Sequence, residues 1–208
     1  MFDFRKAGML IVLLALPAFF FLFLRTCTTN HYGLPYFHPL TDSTGRVVIN
    51  GQDTAYYQVY GVLGVTPGGD TINYRALIGK ISAFYLGGGG DGEKKDRLSE
   101  DRKRLAEILG NEKDFQILER AEEGPGENGE GAGVIRVATG PGLSSWENIL
   151  KIDEKDSAEG TLYESSSLVL VDGERYIRGY YDLSDTEDFD RAVAEIKVLS
   201  YQKKIAGK

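Results

Sequence analysis

The feature that most constrains this chain is an uncharged apolar run near its amino terminus. The run, AGMLIVLLALPAFFFLFL, covers residues 7–24 and follows Arg5 and Lys6. A helix of that length rises about 27 Å, close to the thickness of the hydrocarbon core of a bilayer. The basic pair before the run predicts that the amino terminus lies in the cytoplasm and the rest of the chain outside it. We therefore expect an uncleaved, single-pass membrane anchor over residues 1–25.

Two other fates of the amino terminus are weighed against an anchor. A cleaved signal peptide usually has an apolar region of about 7 to 15 residues and ends in a small-residue site, which this run does not match. The sequence Leu24-Arg25-Thr26-Cys27 can also be read as a lipoprotein processing site, with Cys27 as the lipidated residue. Arg25 and Thr26 disfavour that reading, because such a site has small or aliphatic residues before the cysteine. A lipid-anchored periplasmic protein with a binding function is the alternative.

The remainder of the chain has the length of a short stem and one ordinary domain. Residues 26–42 are polar, aromatic and proline-containing, which predicts a stem just above the membrane. Residues 43–200 have the length and composition of one globular domain. We expect residues 201–208 to form a carboxyl-terminal tail.

The residue inventory restricts the chemistry of the domain. The chain has one cysteine, Cys27, and two histidines, His31 and His38, and all three lie in the stem. A lone cysteine excludes an intrachain disulfide, and a domain without histidine has no Ser-His or Cys-His nucleophile. The three stem residues would suit a metal site on a helical face, but Gly33 and Pro35 intervene. We therefore expect no enzymatic activity and no bound cofactor. The net charge of −7 disfavours nucleic acid as a partner, because phosphate binding needs a basic face.

Apolar runs, turn residues and amphipathic stripes predict an α/β layered domain with a central mixed sheet flanked by helices. The expected strands are a hairpin over 46–62 with its turn at Asn50-Gly51, then residues 80–86, 114–119, 134–138, 167–172 and 175–182. The expected helices are 96–109, with Leu98, Leu105, Ile108 and Leu109 on its apolar face, a short helix capped by Ser144, and 185–199. The order strand, helix, strand, helix, hairpin, helix is that of thioredoxin.

The carboxyl-terminal third resembles a known family. The segments Leu170-Val-Asp172 and Arg175-Tyr-Ile-Arg-Gly-Tyr-Tyr-Asp182, with their spacing to the last helix, are similar to the SCO/SenC family. Gly79-Lys80 before the apolar strand and Leu34-Pro35 after the apolar run fit the same family. Its members are membrane-anchored copper chaperones of thioredoxin fold that serve cytochrome oxidase assembly. The resemblance covers roughly residues 34–200 and implies a periplasmic domain at the bacterial inner membrane.

The resemblance also implies where copper ligands should lie, and this chain lacks them. In the family a CxxxC motif follows the first core strand, and a histidine precedes the strand with the LVD sequence. The first region here is residues 87–95, which opens with Gly87, Gly88, Gly89, Gly90 and Asp91. Glu164 occupies the histidine position. Because Cu(I) prefers thiolate and imidazole ligands, the fold and location are implied without the copper chemistry.

Other binding sites are disfavoured by their spacing. The glycine loop precedes a helix as a P-loop does, but Asp96 follows Lys94-Lys95 where that motif requires Ser or Thr. Residues 121–133 hold four glutamates and five glycines, yet their spacing fits no EF-hand, so we expect a solvated surface loop there. Trp146 and the Tyr180-Tyr181 pair are expected to pack in the domain instead of forming a binding cage.

These observations favour a non-catalytic assembly or interaction subunit that docks on an extracytoplasmic protein. The resemblance implies a respiratory complex of cytochrome oxidase type as the partner. The expected contact surfaces are the loop from Gly87 to Asp91 and the exposed part of the strand that holds Arg178, Tyr180, Tyr181 and Asp182. The competing hypothesis is a copper chaperone or thiol-disulfide protein that takes its ligands from the stem or from a partner chain.

Overall fold

A computed structural model describes most of the chain, in residues 15–17, 19–20, 33–87, 92–110, 112–120, 133–138, 145–152 and 166–206. The chain divides into two compact units, Met1–Gly33 and Leu34–Lys208. In the first unit, residues 15–17 and 19–20 are helical and expose Leu16, Phe19 and Phe20. No helix in the described ranges combines the length and apolar character that crossing a bilayer requires. Most of the expected anchor over 7–24 lies outside the described residues, as do Cys27 and His31.

Four short strands precede the main sheet of the second unit. β1 (Ile49–Asn50) pairs with β2 (Asp53–Thr54), and β3 (Val62–Val65) pairs with β4 (Thr71–Asn73), both in antiparallel fashion. The turn between β1 and β2 is Gly51-Gln52, one residue later than the predicted Asn50-Gly51, because Asn50 pairs with Asp53. The predicted long second strand of that hairpin is wrong, since residues 55–58 form only isolated bridges and β3 turns to β4 instead.

The main sheet has five strands and is mixed, as predicted. Its strands are β5 (Ile81–Tyr85), β6 (Phe115–Arg120), β7 (Val134–Val137), β8 (Leu168–Val171) and β9 (Ile177–Tyr181). The order across the sheet is β7-β6-β5-β8-β9. β5, β6 and β7 are parallel, whereas β8 is antiparallel to both β5 and β9. β5 is central and every one of its residues is buried, which explains why it reads as an apolar run without alternation.

Three α-helices lie in the described residues of this unit, namely α1 (Gly92–Leu109), α2 (Trp146–Ile149) and α3 (Thr186–Ala206). The succession β5-α1-β6, then β8-β9-α3, with strand order β6-β5-β8-β9, is the thioredoxin arrangement, so the domain is thioredoxin-like. β7 adds a further parallel strand at one edge. α3 extends to Ala206, well past the expected end at Leu199, and the expected tail therefore belongs largely to this helix. Lys204 pairs with Glu112 at 3.0 Å and helps to fix this last part.

Two apolar layers cover the two faces of the sheet. On one face, α1 and α3 pack against β5 and β8 through a buried set that includes Ala83, Leu98, Leu105, Leu170, Phe189, Ala192 and Ile196. On the other face, α2, β3 and the 3-10 helix Tyr74–Leu77 pack against Phe84, Leu118 and Val169. The burial of each large apolar side chain contributes about 1.5–3 kcal/mol to the stability of the fold. These two layers therefore hold the strands of the sheet in fixed positions.

Gly64 lies where β3 crosses the end of β7, and its backbone is in the left-handed half of conformational space at φ 145°. A methyl group there would lie 2.3 Å from Cγ1 of Val137 and 2.5 Å from the carbonyl oxygen of Ala138. We expect Gly64→Ala to lower the free energy of unfolding by about 1–3 kcal/mol, because the crossing has no room for a side chain. Urea denaturation of the full chain in mild detergent measures the change.

The control is Gly68→Ala in the neighbouring turn. A methyl group at Gly68 would meet only the Thr66 hydroxyl, at 3.7 Å. We expect its free energy of unfolding to stay within about 0.5 kcal/mol of the wild-type value. Equal stabilities for the two variants would contradict the tight crossing at Gly64.

Candidate functional site

The carboxyl ends of the parallel strands meet at one edge of the sheet, which is where open α/β sheets bind their ligands. β5 leads into Leu86 and Gly87, and Gly87 takes a left-handed conformation at φ 76° that turns the chain toward α1. Of the residues predicted to replace the copper ligands, only Gly87 is described. Gly88, Gly89, Gly90, Asp91 and Glu164 lie outside the described residues.

A group of polar side chains lies at this edge, and we name it the edge cluster: Tyr85, Arg102, Glu119 and Arg136. Tyr85 at the end of β5 pairs with Glu119 on β6, and Glu119 pairs with Arg136 on β7. The three side chains share one face of the sheet because directly paired residues point the same way. α1 covers the same face and contributes Arg102, which is only 4% exposed.

Glu119 is the shared carboxylate of the edge cluster. Its Oε1 lies 3.5 Å from Nε of Arg102, and its Oε2 lies 3.4 Å from Nε of Arg136. Burial of the phenol raises the pKa of Tyr85 above its ordinary value of 10.0; Arg102 opposes this rise, and the negative charge of Glu119 adds to it. Tyr85 is therefore a neutral hydrogen-bond donor at physiological pH. The four side chains of the edge cluster are charged or phenolic, and none of them is a thiol or an imidazole.

The sequence contains one signal for the edge cluster, at Arg102. Arg102 lies four residues after Leu98 and three before Leu105, which is the middle of the apolar stripe of α1. A charged residue in such a stripe indicates a buried partner. The prediction that Ile108 belongs to the stripe is wrong, since Ile108 is 39% exposed and Ala106 is buried in its place.

The prediction of an exposed contact surface on β9 is wrong, because most of its side chains are buried. Arg178, Tyr180 and Tyr181 are all buried, because β8, α3 and the segment after Gly33 cover them. Tyr181 donates to Glu195 Oε2 at 2.6 Å, and burial together with this bond raises the pKa of its phenol. Asp182 is half-buried and accepts from the Ser184 hydroxyl at 2.6 Å. These residues are structural, and the packing role expected for the tyrosine pair is confirmed.

Arg178 is the centre of a set of contacts that we name the arginine clamp. Its Nη1 donates to Asp172 Oδ2 at 2.8 Å. Its Nη2 and Nε donate to the backbone oxygens of Leu34 and Pro35 at 2.7 and 3.0 Å. The guanidinium also lies 3.8 Å from the centre of the Tyr36 ring. Residues 34–42 are thereby part of the domain, which corrects their assignment to a separate stem.

His38 lies in this segment and is buried instead of solvated. Its Nε2 is 2.6 Å from the hydroxyl of Tyr180, and that hydroxyl donates to the carbonyl oxygen of Leu150 at 2.7 Å. A hydroxyl whose hydrogen points at Leu150 can only accept from the ring, so Nε2 of His38 carries a proton. In the neutral ring, Nε2 then has no lone pair to offer a metal, and the lone pair lies on Nδ1. Within the described residues, no group of three or more His, Cys, Asp or Glu side chains is arranged to hold a metal ion.

Trp146 is fully buried, as predicted, and its indole N–H donates to the Leu63 carbonyl oxygen at 2.7 Å. The helix that carries it is capped by Ser145, whose hydroxyl accepts from the Glu147 amide, so the predicted cap at Ser144 is wrong by one residue. Burial would raise the pKa of Glu147, but its bonds to Ser145 and its ion pair with Arg120 lower that pKa overall.

One further concavity, of about 200 Å³, lies between α1 and the start of α3. Its lining includes Arg97, Glu100, Asp101 and Arg104 from α1, opposite Thr186 and Phe189. The lining holds two arginines and two carboxylates, so the cleft offers no dominant charge to a ligand. No local pattern in the sequence predicts this concavity, because it forms only when α1 and α3 pack side by side.

Comparison with known proteins gives matches in structure only. No protein-family profile matches the chain, and no curated protein sequence matches it either. BsSco, a member of the Sco family of cytochrome c oxidase assembly proteins, is 14% identical with a TM-score of 0.49, over 70% of this chain and 94% of that one. A SCO1/SenC family lipoprotein from Bacillus anthracis is 12% identical with a TM-score of 0.47, over 69% and 95%.

A thioredoxin-like protein from Bacteroides vulgatus is 14% identical with a TM-score of 0.47, over 73% of this chain and 92% of that one. Sco proteins are thus among the structural neighbours. Identities this low do not establish shared chemistry. The assignment of the fold rests on the strand order described above.

The arginine clamp generates a prediction about Arg178. We expect Arg178→Gln to lower the free energy of unfolding by about 3–5 kcal/mol, because Asp172 would remain buried without its partner. Amide hydrogen exchange should quicken at Phe37 and Tyr57, whose backbone bonds join residues 34–42 to the domain. Arg97→Gln is the control, because Arg97 is exposed, and we expect changes within about 0.5 kcal/mol. Unchanged exchange at Phe37 in Arg178→Gln would show that the clamp does not hold this segment.

Proposed function

We propose that this protein is a membrane-anchored, non-catalytic interaction subunit, with a thioredoxin-like domain that binds a protein partner outside the cytoplasm. The apolar run over 7–24 supports the anchor, and the exposed helical residues Leu16, Phe19 and Phe20 are suited to lipid contact. The resemblance of residues 170–182 to Sco proteins makes a respiratory complex of cytochrome oxidase type the first partner to test.

One observation carries the proposal. The whole chain contains a single thiol and two imidazoles, and the imidazole that lies in the domain, His38, is bonded to Tyr180. Disulfide exchange within one domain needs two thiols, and a Cu(I) site needs soft sulfur or free imidazole ligands. Such chemistry would lie at the carboxyl ends of the parallel strands. The polar side chains described at that edge are those of the edge cluster. The domain is therefore suited to binding and not to electron transfer.

The surface that best suits a protein partner is a tyrosine–arginine patch formed by Tyr60, Tyr74, Arg75 and Arg175. The rings of Tyr60 and Tyr74 lie 4.5 Å apart, and the guanidinium of Arg175 lies 5.1 Å from the Tyr74 ring. Tyr60 is 64% exposed. Tyrosine and arginine are the residues that most often dominate binding energy at interfaces. Two arginines in a chain of net charge −7 would favour a carboxylate-bearing surface on the partner.

The experiment is affinity purification of the full chain from its native membranes in mild detergent, followed by identification of co-purifying subunits. We expect a Cys27→Ser, His31→Ala double variant to retain its partners at wild-type levels, because neither side chain is needed. Tyr60→Ala should reduce recovery of the partners at least about fivefold, since the loss of a central interface tyrosine costs more than 1 kcal/mol. Tyr201→Ala is the matched control, because Tyr201 is 65% exposed on α3 and should have no effect.

Loss of the partners in the double variant would contradict a non-catalytic role and favour the thiol or copper alternative. Equal recovery with Tyr60→Ala and Tyr201→Ala would remove the tyrosine–arginine patch from the proposal. Intact-mass measurement of the purified chain tests the anchor in the same preparation. The expected mass includes residues 1–26, whereas their loss with an added acyl mass at Cys27 would establish the lipoprotein alternative.

A further inference from the structure

The start of the domain holds three short extended segments that pair with one another, at residues 39–41, 47–50 and 53–56. Three antiparallel pairs define how they lie, namely Thr41 with Val47, Pro39 with Tyr56, and Ile49 with Thr54. Directly paired residues point to the same face, and so do residues two apart in a strand. The six side chains therefore lie together, and we name them the uncharged face because none of them is charged.

The uncharged face is open to solvent although much of it is apolar. Ile49 is 65% exposed and Val47 is 47% exposed, and Pro39 is exposed beside them. The ring of Tyr36 stacks on that of Tyr56 at 5.1 Å and extends the face toward the arginine clamp. Neighbouring apolar side chains that are left in water become more stable when another apolar layer covers them.

The charged residues of this part of the chain lie outside the uncharged face. Between positions 34 and 60 they are Asp42, Arg46 and Asp53, and each is next in sequence to a member of the face. Successive residues of a strand point to opposite faces, so the alternation directs these three away from it. The carboxylate of Asp42 also accepts from the amides of Thr44 and Arg46 within its own turn. The face can therefore approach an apolar layer without the cost of burying a charge.

The position of the face in the chain indicates which apolar layer is in reach. Nine residues, 25–33, separate the end of the apolar run from Leu34. Even fully extended, nine residues span only roughly 30 Å. The arginine clamp holds the backbone of Leu34 and Pro35 in the domain, and Tyr36 follows directly. With the apolar run in the bilayer, the start of the domain stays within roughly that distance of the lipid surface, at a high effective concentration.

We propose that the uncharged face rests on the surface of the lipid bilayer, with Val47 and Ile49 inserted at the headgroup boundary and Tyr36 and Tyr56 beside them. Tyrosine suits this depth, because its ring is apolar and its hydroxyl bonds to the headgroups. The inference rests on the membrane anchor proposed above, since a face this small binds lipid only when the chain is already held there. The contact fixes the orientation of the domain above the membrane and thus the surfaces that a membrane partner can reach.

The test uses the full chain with Cys27→Ser, reconstituted in phosphatidylcholine nanodiscs. Ile49→Cys or Tyr201→Cys carries a small environment-sensitive fluorophore, and lipids with a nitroxide just below the headgroup quench it. We expect at least about threefold stronger quenching at Ile49 than at Tyr201, because an inserted residue lies about 5–10 Å into the boundary between headgroups and acyl chains. Tyr201 is the matched control, because its side chain is also 65% exposed.

A charge on the face distinguishes contact by the face from insertion of the fluorophore alone. We expect Val47→Glu to reduce the quenching at Ile49 at least about threefold, because a carboxylate is costly to place among lipid chains. Tyr201→Glu adds the same charge in place of another exposed side chain and should leave the quenching at Ile49 unchanged.

A label at Leu16→Cys, with the nitroxide placed near the end of the lipid chain, separates this inference from the proposed anchor. Quenching at Leu16 together with equal quenching at Ile49 and Tyr201 overturns the inference and supports the anchor, and it is the result expected if a protein covers the face instead. Absence of quenching at Leu16 overturns the anchor and the inference together. Equal quenching at Ile49 in Val47→Glu and Tyr201→Glu overturns the inference as well.

Discussion

The domain depends on the ion pair between Arg178 and Asp172, which is buried and joins three parts of the chain. Asp172 directly follows β8 and also accepts hydrogen bonds from the amides of Glu174 and Tyr176, so it shapes the turn of the β8–β9 hairpin. Arg178 carries the same contact network to the backbone of Leu34 and Pro35. One carboxylate and one guanidinium thus fix the hairpin turn, the edge of the sheet and the start of the domain together.

This network explains what the resemblance to the SCO/SenC family means physically. The residues that carry the resemblance, Asp172, Arg178, Tyr180 and Tyr181, are buried and hold the fold together. The residues that would carry copper chemistry are those that this chain lacks. Because the resemblance is concentrated at structural positions, it indicates a shared architecture and does not indicate shared chemistry. The same edge of the sheet holds, among the described residues, the ion pairs of Glu119 with Arg102 and Arg136.

The elements that the sequence predicted well are those with a local signal. β5, β8 and β9 follow from apolar runs and a tight turn, and the stripe of α3 from Phe189 to Leu199 follows from helical periodicity. These predictions succeeded because local pattern and tertiary packing agree there. The turn at Gly51-Gln52 and the cap at Ser145 each differ from the prediction by one residue, since neighbouring residues of similar turn and capping propensity compete.

The features that the sequence did not predict depend on contacts between distant residues. Arg178 and Pro35 are 143 residues apart, so no local pattern could show that Arg178 is buried or that the expected stem belongs to the domain. The extension of α3 to Ala206 brings Lys204 to Glu112, a contact that also forms only in the folded chain. Arg102 is the exception, because its place in the apolar stripe of α1 was visible in the sequence.

The central claim is that this thioredoxin-like domain acts without soft metal or thiol chemistry, and a Cu(I) titration tests it most directly. The full chain is titrated without oxygen against a competing Cu(I) chelator, beside the Cys27→Ser variant. The account predicts that neither protein withdraws copper from a chelator of sub-micromolar affinity, because the chain has one thiol and His38 is bonded to Tyr180. Stoichiometric Cu(I) binding by the wild-type chain at sub-micromolar affinity would contradict it.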